Sequence, residues 1–192
     1  MSNQLATVSA GIGFVVVFLY ANLFEYAFHR WLMHRLHRYV SQPYETHVRL
    51  HHRIFRGDQR YHVLRAEHRS VILFAWWGAP VIVGLHAPVL WGVQAAGGWP
   101  FFWPGLAALS LYYGLYEYLH WCMHNPAGRR LERTRIFRSL DANHRLHHAC
   151  WRINFNVVCP LADIAFGTYR PRSAPGRPRR FDGPRPPALP RD

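Results

Sequence analysis

Ten of the fourteen histidines in this chain fall into four short clusters with metal-ligand spacing, a pattern that limits the fold to one that converges two distant stretches of chain. The clusters are His29 and His34; His47, His51 and His52; His120 and His124; and His144, His147 and His148. Residues three or four apart share a face of an α-helix. By that rule His47 with His51, His120 with His124, and His144 with His147 and His148 each aim their imidazoles at one point. His29 and His34 are five apart, about 140° around an ideal helix, so they require a helix end, a distortion or two different metals. One structural metal takes about four ligands. Ten histidines are too many for one ion and suit two.

The rest of the chain is apolar enough for a membrane. Its first charged residue is Glu25, and no charge occurs from Ser70 through Tyr116. A spanning helix needs about 20 mostly apolar residues. Residues 5–28 fit one span, and 71–93 and 100–119 fit two more, with a turn over 95–100. No basic stretch precedes the first apolar run, so it reads as a retained span rather than a cleaved signal. Pro80, Gly84 and Pro88 interrupt the second, as membrane helices tolerate. Trp76, Trp77, Trp99 and Trp103 near the span ends suit an interfacial belt. The three cysteines, Cys122, Cys150 and Cys159, form no pair with metal or disulfide spacing. Cys122 points off the face that His120 and His124 share.

All 23 basic residues are arginine, and their positions decide what the charge means. Nine lie between Arg30 and Arg69 and fourteen between Arg129 and Arg191, all on the side of the membrane that carries the histidines if there are three spans. The positive-inside rule makes that side cytoplasmic and places the turn near Gly97 outside. Topology and attraction to anionic headgroups therefore account for the charge, and nucleic-acid binding is not expected. The last segment, 171–192, holds seven Pro and six Arg, cannot bury a core and reads as a disordered tail.

The two halves echo each other. Glu25-Tyr26 precedes His29 as Glu117-Tyr118 precedes His120, a Met-His pair closes each cluster, and a second histidine cluster follows each. The physical reading is two half-sites, each a helix leaving the membrane with a second helix above it, clasping two metals between them. Glu25 and Glu117 stand near span ends, where an unpaired carboxylate is costly. Each is a candidate to accept the free N–H of a ligating imidazole and fix its tautomer, or to pair with one of the arginines. His37, His62, His68 and His86 lie outside the clusters and read as surface or core histidines, with His62 the one worth testing for a role in the site.

Imidazole ligands suit iron, zinc, copper or nickel rather than magnesium or calcium. A zinc hydrolase needs about three ligands and a general base, and a transporter would carry ligands along a path inside its spans, where only His86 lies. The ordered motifs HxxxxH (29, 34), HxxxHH (47, 51, 52), HxxxH (120, 124) and HxxHH (144, 147, 148) resemble those of the fatty acid hydroxylase/sterol desaturase superfamily of integral-membrane di-iron enzymes. The stretch from Asn154-Phe155-Asn156 through Pro160-Leu161-Ala162-Asp163 to Phe166-Gly167-Thr168 is similar to that family's C-terminal signature, and the likeness covers residues 20–170. The resemblance implies two non-haem iron ions, held by the ten clustered histidines, that activate dioxygen against a C–H bond of a lipid. Family members often have four spans where this chain offers three. No flavin, haem or iron–sulfur motif is present, so the electrons would come from a ferredoxin-type or haem-protein partner. Desaturation shares the same ligands, and a membrane metal-binding protein without oxygen chemistry is the rival of another class. The expected architecture is an all-α integral membrane bundle of about three spans with a cytoplasmic histidine-rich helical cap, over residues 1–170.

Overall fold

The computed structural model describes residues 3–171, with helices, turns and loops and no strand among them. The tail expected to be disordered lies outside the described residues from position 172 onward. Three long helices form the body: α1 (Asn3–Ala27), α4 (Gly78–Gly97) and α5 (Phe102–His124). Between α1 and α4 the chain makes two short helices, α2 (Gln42–Tyr44) and α3 (His52–Ile54). After α5 come α6 (Arg135–Ala149) and the short α7 (Leu161–Ala165).

The three long helices alternate in direction. Gly98 ends α4 in the left-handed conformation (φ 66°), its amide donating to the Gln94 carbonyl at 2.9 Å. A residue without Cβ enters that conformation at no steric cost, which makes glycine the usual helix terminator. The Gln94 side chain then accepts the Phe101 and Phe102 amides at 3.1 and 3.0 Å, closing the turn where the sequence places it. A Cβ on Gly13 of α1 would meet the Phe101 ring at 3.3 Å, so the start of α1 lies beside this turn. The other ends of α1 and α5, and the start of α4, gather at the histidines. Val17, Ala21, Leu90, Ala108, Leu109 and Tyr112 form the core where α1, α4 and α5 meet.

Two helical stretches, Gln4–Met33 and Gly78–Gly97, are long and apolar enough to cross a membrane. Only 22% and 6% of their apolar windows are buried, so neither is covered as the core helix of a soluble domain would be. Leu5, Val8, Ile12, Val15, Leu19 and Leu23 on α1 and Val81, Leu85 and Val89 on α4 face outward. Trp76 and Trp77 flank α4 at one end and Trp99 and Trp103 at the other, all exposed. The third expected segment, α5, does not stand out as apolar in the same way. Helix α5 has the length, at 23 residues, but carries Tyr112, Tyr113, Tyr116, Glu117 and Tyr118 in its second half and packs against both α1 and α4. It is the inner helix, and its polar side chains find partners there. The second apolar helix also begins later than expected, at Gly78, because 66–71 forms a 3-10 turn. The Phe74 amide then donates to Glu117 at 3.2 Å, holding the next stretch against α5.

Candidate metal centre

All ten clustered histidines converge, and they sort into two groups of five: His29, His34, His47, His52 and His147 in one, and His51, His120, His124, His144 and His148 in the other. Within each group the facing ring nitrogens lie within 4.8 Å of one another. In the first site Nε2 atoms approach at 2.8 Å (His29–His47), 3.0 Å (His47–His52 and His34–His147) and 3.2 Å (His29–His34). In the second they approach at 3.0 Å (His144–His148), 3.1 Å (His124–His144) and 3.2 Å (His51–His120).

Hydrogen bonds between the rings cannot satisfy all of these contacts. His29, His51, His124, His147 and His148 direct Nδ1 at backbone carbonyls, so each carries its N–H there and its Nε2 is a bare lone pair. His34 Nε2 faces two such atoms, on His29 and on His147, and one proton satisfies only one of them. Burial holds His34, His47, His52, His144, His147 and His148 well below the ordinary imidazole range, with neighbouring imidazoles adding to the effect, and takes His51 down to about 3. Neutral rings with converging lone pairs repel unless a cation lies between them. The spacing fits one: ligands about 2.1 Å from an ion are about 3.0 Å apart at right angles and about 3.4 Å apart in a tetrahedron.

The local folding explains the spacing that the α-helical rule could not. Phe28–Met33 and Glu45–His51 are π-helical, with backbone bonds reaching five residues along instead of four. The wider turn brings residues five apart onto one face, which unites His29 with His34 and His47 with His52. The His52 amide donates to the His47 carbonyl, so the π-type bond links the two ligands themselves. The C-terminal half uses ordinary α-helix, with His120 and His124 on α5 and His144 and His148 on α6 at a spacing of four. Thr134 caps α6 by accepting the Phe137 amide at 3.2 Å, and Phe137, Leu140, His144, His147 and His148 form its buried face.

The expected pairing is therefore corrected. His47 and His51 fall in different groups, and so do His147 and its neighbours His144 and His148. Each site takes four ligands from one half of the chain and one from the other: His147 crosses to the first site and His51 to the second. In each half the crossing residue immediately precedes the last ligand of its motif, about 100° around the helix from it. The two cages abut, with the His52 ring stacked on His148 at 4.2 Å between centroids.

Neither carboxylate plays the part the sequence suggested. Glu25 is buried and accepts from the Tyr112 hydroxyl and the Val157 amide, each at 2.5 Å, and from the Asn156 side chain at 2.9 Å. Glu117 takes the Phe74 amide and the Tyr113 hydroxyl. Backbone carbonyls accept the imidazole N–H groups instead, those of Phe155, Ile153, Val71, Tyr61 and Phe55. Carbonyls leave no signature in a sequence, which is why this layer was missed. Cys122 packs with Tyr61, Phe137 and Leu140, off the ligand face. His37, His62, His68 and His86 belong to neither cage. His86 donates from Nδ1 to the Ile82 carbonyl and accepts the Tyr20 hydroxyl at 2.9 Å, tying α4 to α1. No protein family, curated protein or solved structure matches this chain, so the reading of the centre rests on its own geometry.

The loop supplying the Phe55 and Tyr61 carbonyls packs tightly on the end of α6. A Cβ on Gly57 would sit 2.5 Å from the Ala149 Cβ and 2.7 Å from its backbone nitrogen. Helix backbone cannot step aside, so Gly57→Ala is expected to cost about 1–3 kcal/mol. At Gly105 the nearest obstacle, at 2.8 Å, is the flexible tip of Leu90, and the same change should cost less than about 1 kcal/mol. Thermal unfolding of both variants in detergent measures the difference, and equal midpoints would contradict this packing.

Proposed function

We propose that this chain is a membrane-bound non-haem di-iron oxygenase that hydroxylates a C–H bond of a lipid, using dioxygen and electrons from a separate carrier protein. The observation that carries the reading is the pair of five-imidazole cages. Four-coordinate zinc needs fewer ligands, whereas five donors would leave one vertex of an octahedron open. Two iron ions held there would supply the activation of dioxygen. The histidine motifs, with their resemblance to the fatty acid hydroxylase/sterol desaturase superfamily, favour iron and a lipid.

Cavities beside the cages support a substrate that arrives from within a bilayer. A groove of about 520 Å³ lies between α1 and α4, lined by Tyr20, Phe28, Leu85 and Val89 among others. Gln42, Phe74 and Ala75 also line a second cavity of about 210 Å³, whose far wall is His47, His51 and His120. An apolar chain in the groove is thus led past Phe74 to the ligands. Met33, Phe74 and Tyr116 line both this cavity and a smaller apolar one beside His29. The arginine-rich end of the molecule carries the cages, which suits a cytoplasmic active site and an acidic electron carrier.

The test is isotopic. Purified protein loaded with iron and supplied with reductant and membrane lipids is expected to place one oxygen atom from labelled dioxygen in a lipid product. Label arriving from water, or equal turnover with zinc, would overturn the oxygenase reading in favour of a metallohydrolase.

A further inference from the structure

The backbone carbonyls that orient the ligands divide as cleanly as the ligands do. In the first site His29 and His147 donate from Nδ1 to Phe155 and Ile153, both in the loop after α6. In the second, His51, His124 and His148 donate to Val71, Tyr61 and Phe55, all in the segment between α3 and α4. Each metal site is therefore aimed by a loop of its own, and each loop is anchored differently.

Asp163, on α7 and fully buried, anchors the first. Its carboxylate accepts the Phe155 amide at 2.9 Å, the Asn156 amide at 2.7 Å and the Thr168 hydroxyl at 2.7 Å. The Asn156 N–H and the Phe155 C=O belong to one planar trans peptide and point in opposite directions. Asp163 thus grips one edge of that peptide while the other edge receives the His29 N–H. The Ile153 carbonyl is set in a similar way, because the Asn154 amide on the far edge of its peptide donates to the Thr168 carbonyl at 3.2 Å. Asn154 itself is left-handed (φ 53°) and its side chain bonds both ways with the Arg170 backbone.

Arg145 of α6 anchors the second loop. Its guanidinium donates to the Gly57 carbonyl at 3.2 Å and the Asp58 carbonyl at 2.8 Å, between the two residues whose carbonyls hold His148 and His124. The Tyr61 hydroxyl adds a bond to Asp141 at 3.0 Å. The Asn154 side chain also donates to the Asn143 carbonyl of α6 at 3.2 Å, but Asp163 and Arg145 share no hydrogen-bond partner.

We propose that Asp163 and Arg145 are positioning residues for separate metals, Asp163 for the site of His29 and Arg145 for the site of His51, so that either metal can be lost without the other. The inference rests on the two-metal reading of the centre and not on the oxygen chemistry. Direct hydrogen-bond partners of ligands are worth about 10–100-fold in metal affinity, and Asp163 and Arg145 act one bond further out, at the low end of that range. Full-length protein in detergent, titrated with iron(II) and assayed for iron per chain, should therefore show Asp163→Asn weakening one binding event about 10-fold and sparing the other. Arg145→Gln should do the same to the other event. Pairing identifies the site: Asp163→Asn with His34→Ala should still hold about one iron, and Asp163→Asn with His124→Ala should hold almost none. If Asp163→Asn fails to fold, Thr168→Val, which removes only the hydroxyl bond, should show the same site selectivity with a smaller shift. Loss of both irons in parallel, or wild-type affinity at both, would overturn the proposal. A wild-type chain that takes up no metal would instead overturn the reading of the centre itself.

Discussion

His147→Ala should empty the site built from the N-terminal half of the chain, and His148→Ala, one residue along, should empty the other. The two residues share a motif and a helix, so a reading by clusters gives them one ion and one phenotype. The structure gives them two, because His147 Nε2 lies 3.0 Å from His34 whereas His148 Nε2 lies 3.0 Å from His144. Each variant should fall from about two metals per chain to about one, with affinity at the damaged site lowered by more than the roughly 100-fold that an outer hydrogen-bond partner can be worth. Turnover should fall at least as far if both metals are needed. Lesions in one site should not compound, while lesions in different sites should. His147→Ala with His29→Ala thus keeps the second metal, and His147→Ala with His120→Ala keeps neither. His37→Ala and His68→Ala should leave both metals in place. Metal content of the purified variants decides the matter, and His147→Ala compounding with His29→Ala rather than His120→Ala would show the crossed assignment to be wrong.

That crossing marks where the sequence stops being informative. The ten histidines that converge could be named from spacing, because metal-ligand patterns come in short-range pairs that a helix presents together. That the ten would form two groups followed from their number. The partition did not follow, because it depends on two π-helical turns, at 28–33 and 45–51, whose presence no residue in those segments announces. An α-helical rule pairs His47 with His51, and the wider turn pairs His47 with His52. Glu25 and Glu117 were singled out correctly as carboxylates that need partners, but Tyr112, Asn156, Phe74 and Tyr113 supply them across the fold. Pairings of that kind are set by tertiary structure. The long uncharged runs showed where apolar helices lie, yet hydropathy alone could not show that α5 is the inner helix. The segment around Asn154 and Asp163 stood out by family likeness, while its part in aiming His29 needed coordinates.

The largest effect of conditions should be that of acid. Seven ligands that lie outside the apolar helices, His34, His47, His51, His52, His144, His147 and His148, are held by burial below the usual imidazole value. In the unfolded chain each takes up a proton near pH 6.5. In the folded chain each resists until its lowered value, which for His51 is about 3. Across that window the unfolded state binds more protons than the native one, so stability is full above about pH 6.5 and falls as the pH drops. Each group kept neutral in the fold adds to the proton excess of the unfolded state, so the fall steepens with the number of such groups. Bound metal acts in the same direction, because only the neutral imidazole ligates and metal competes with protons for every ring. Metal release and unfolding should therefore occur together and steeply between about pH 6.5 and 5, with each ion replaced by several protons. Proton uptake and metal release, followed in one detergent-solubilised sample during acid titration, measure that ratio. A melting temperature unchanged from pH 7 to pH 5, or a single proton taken up per ion released, would mean that these imidazoles do not share the two ions.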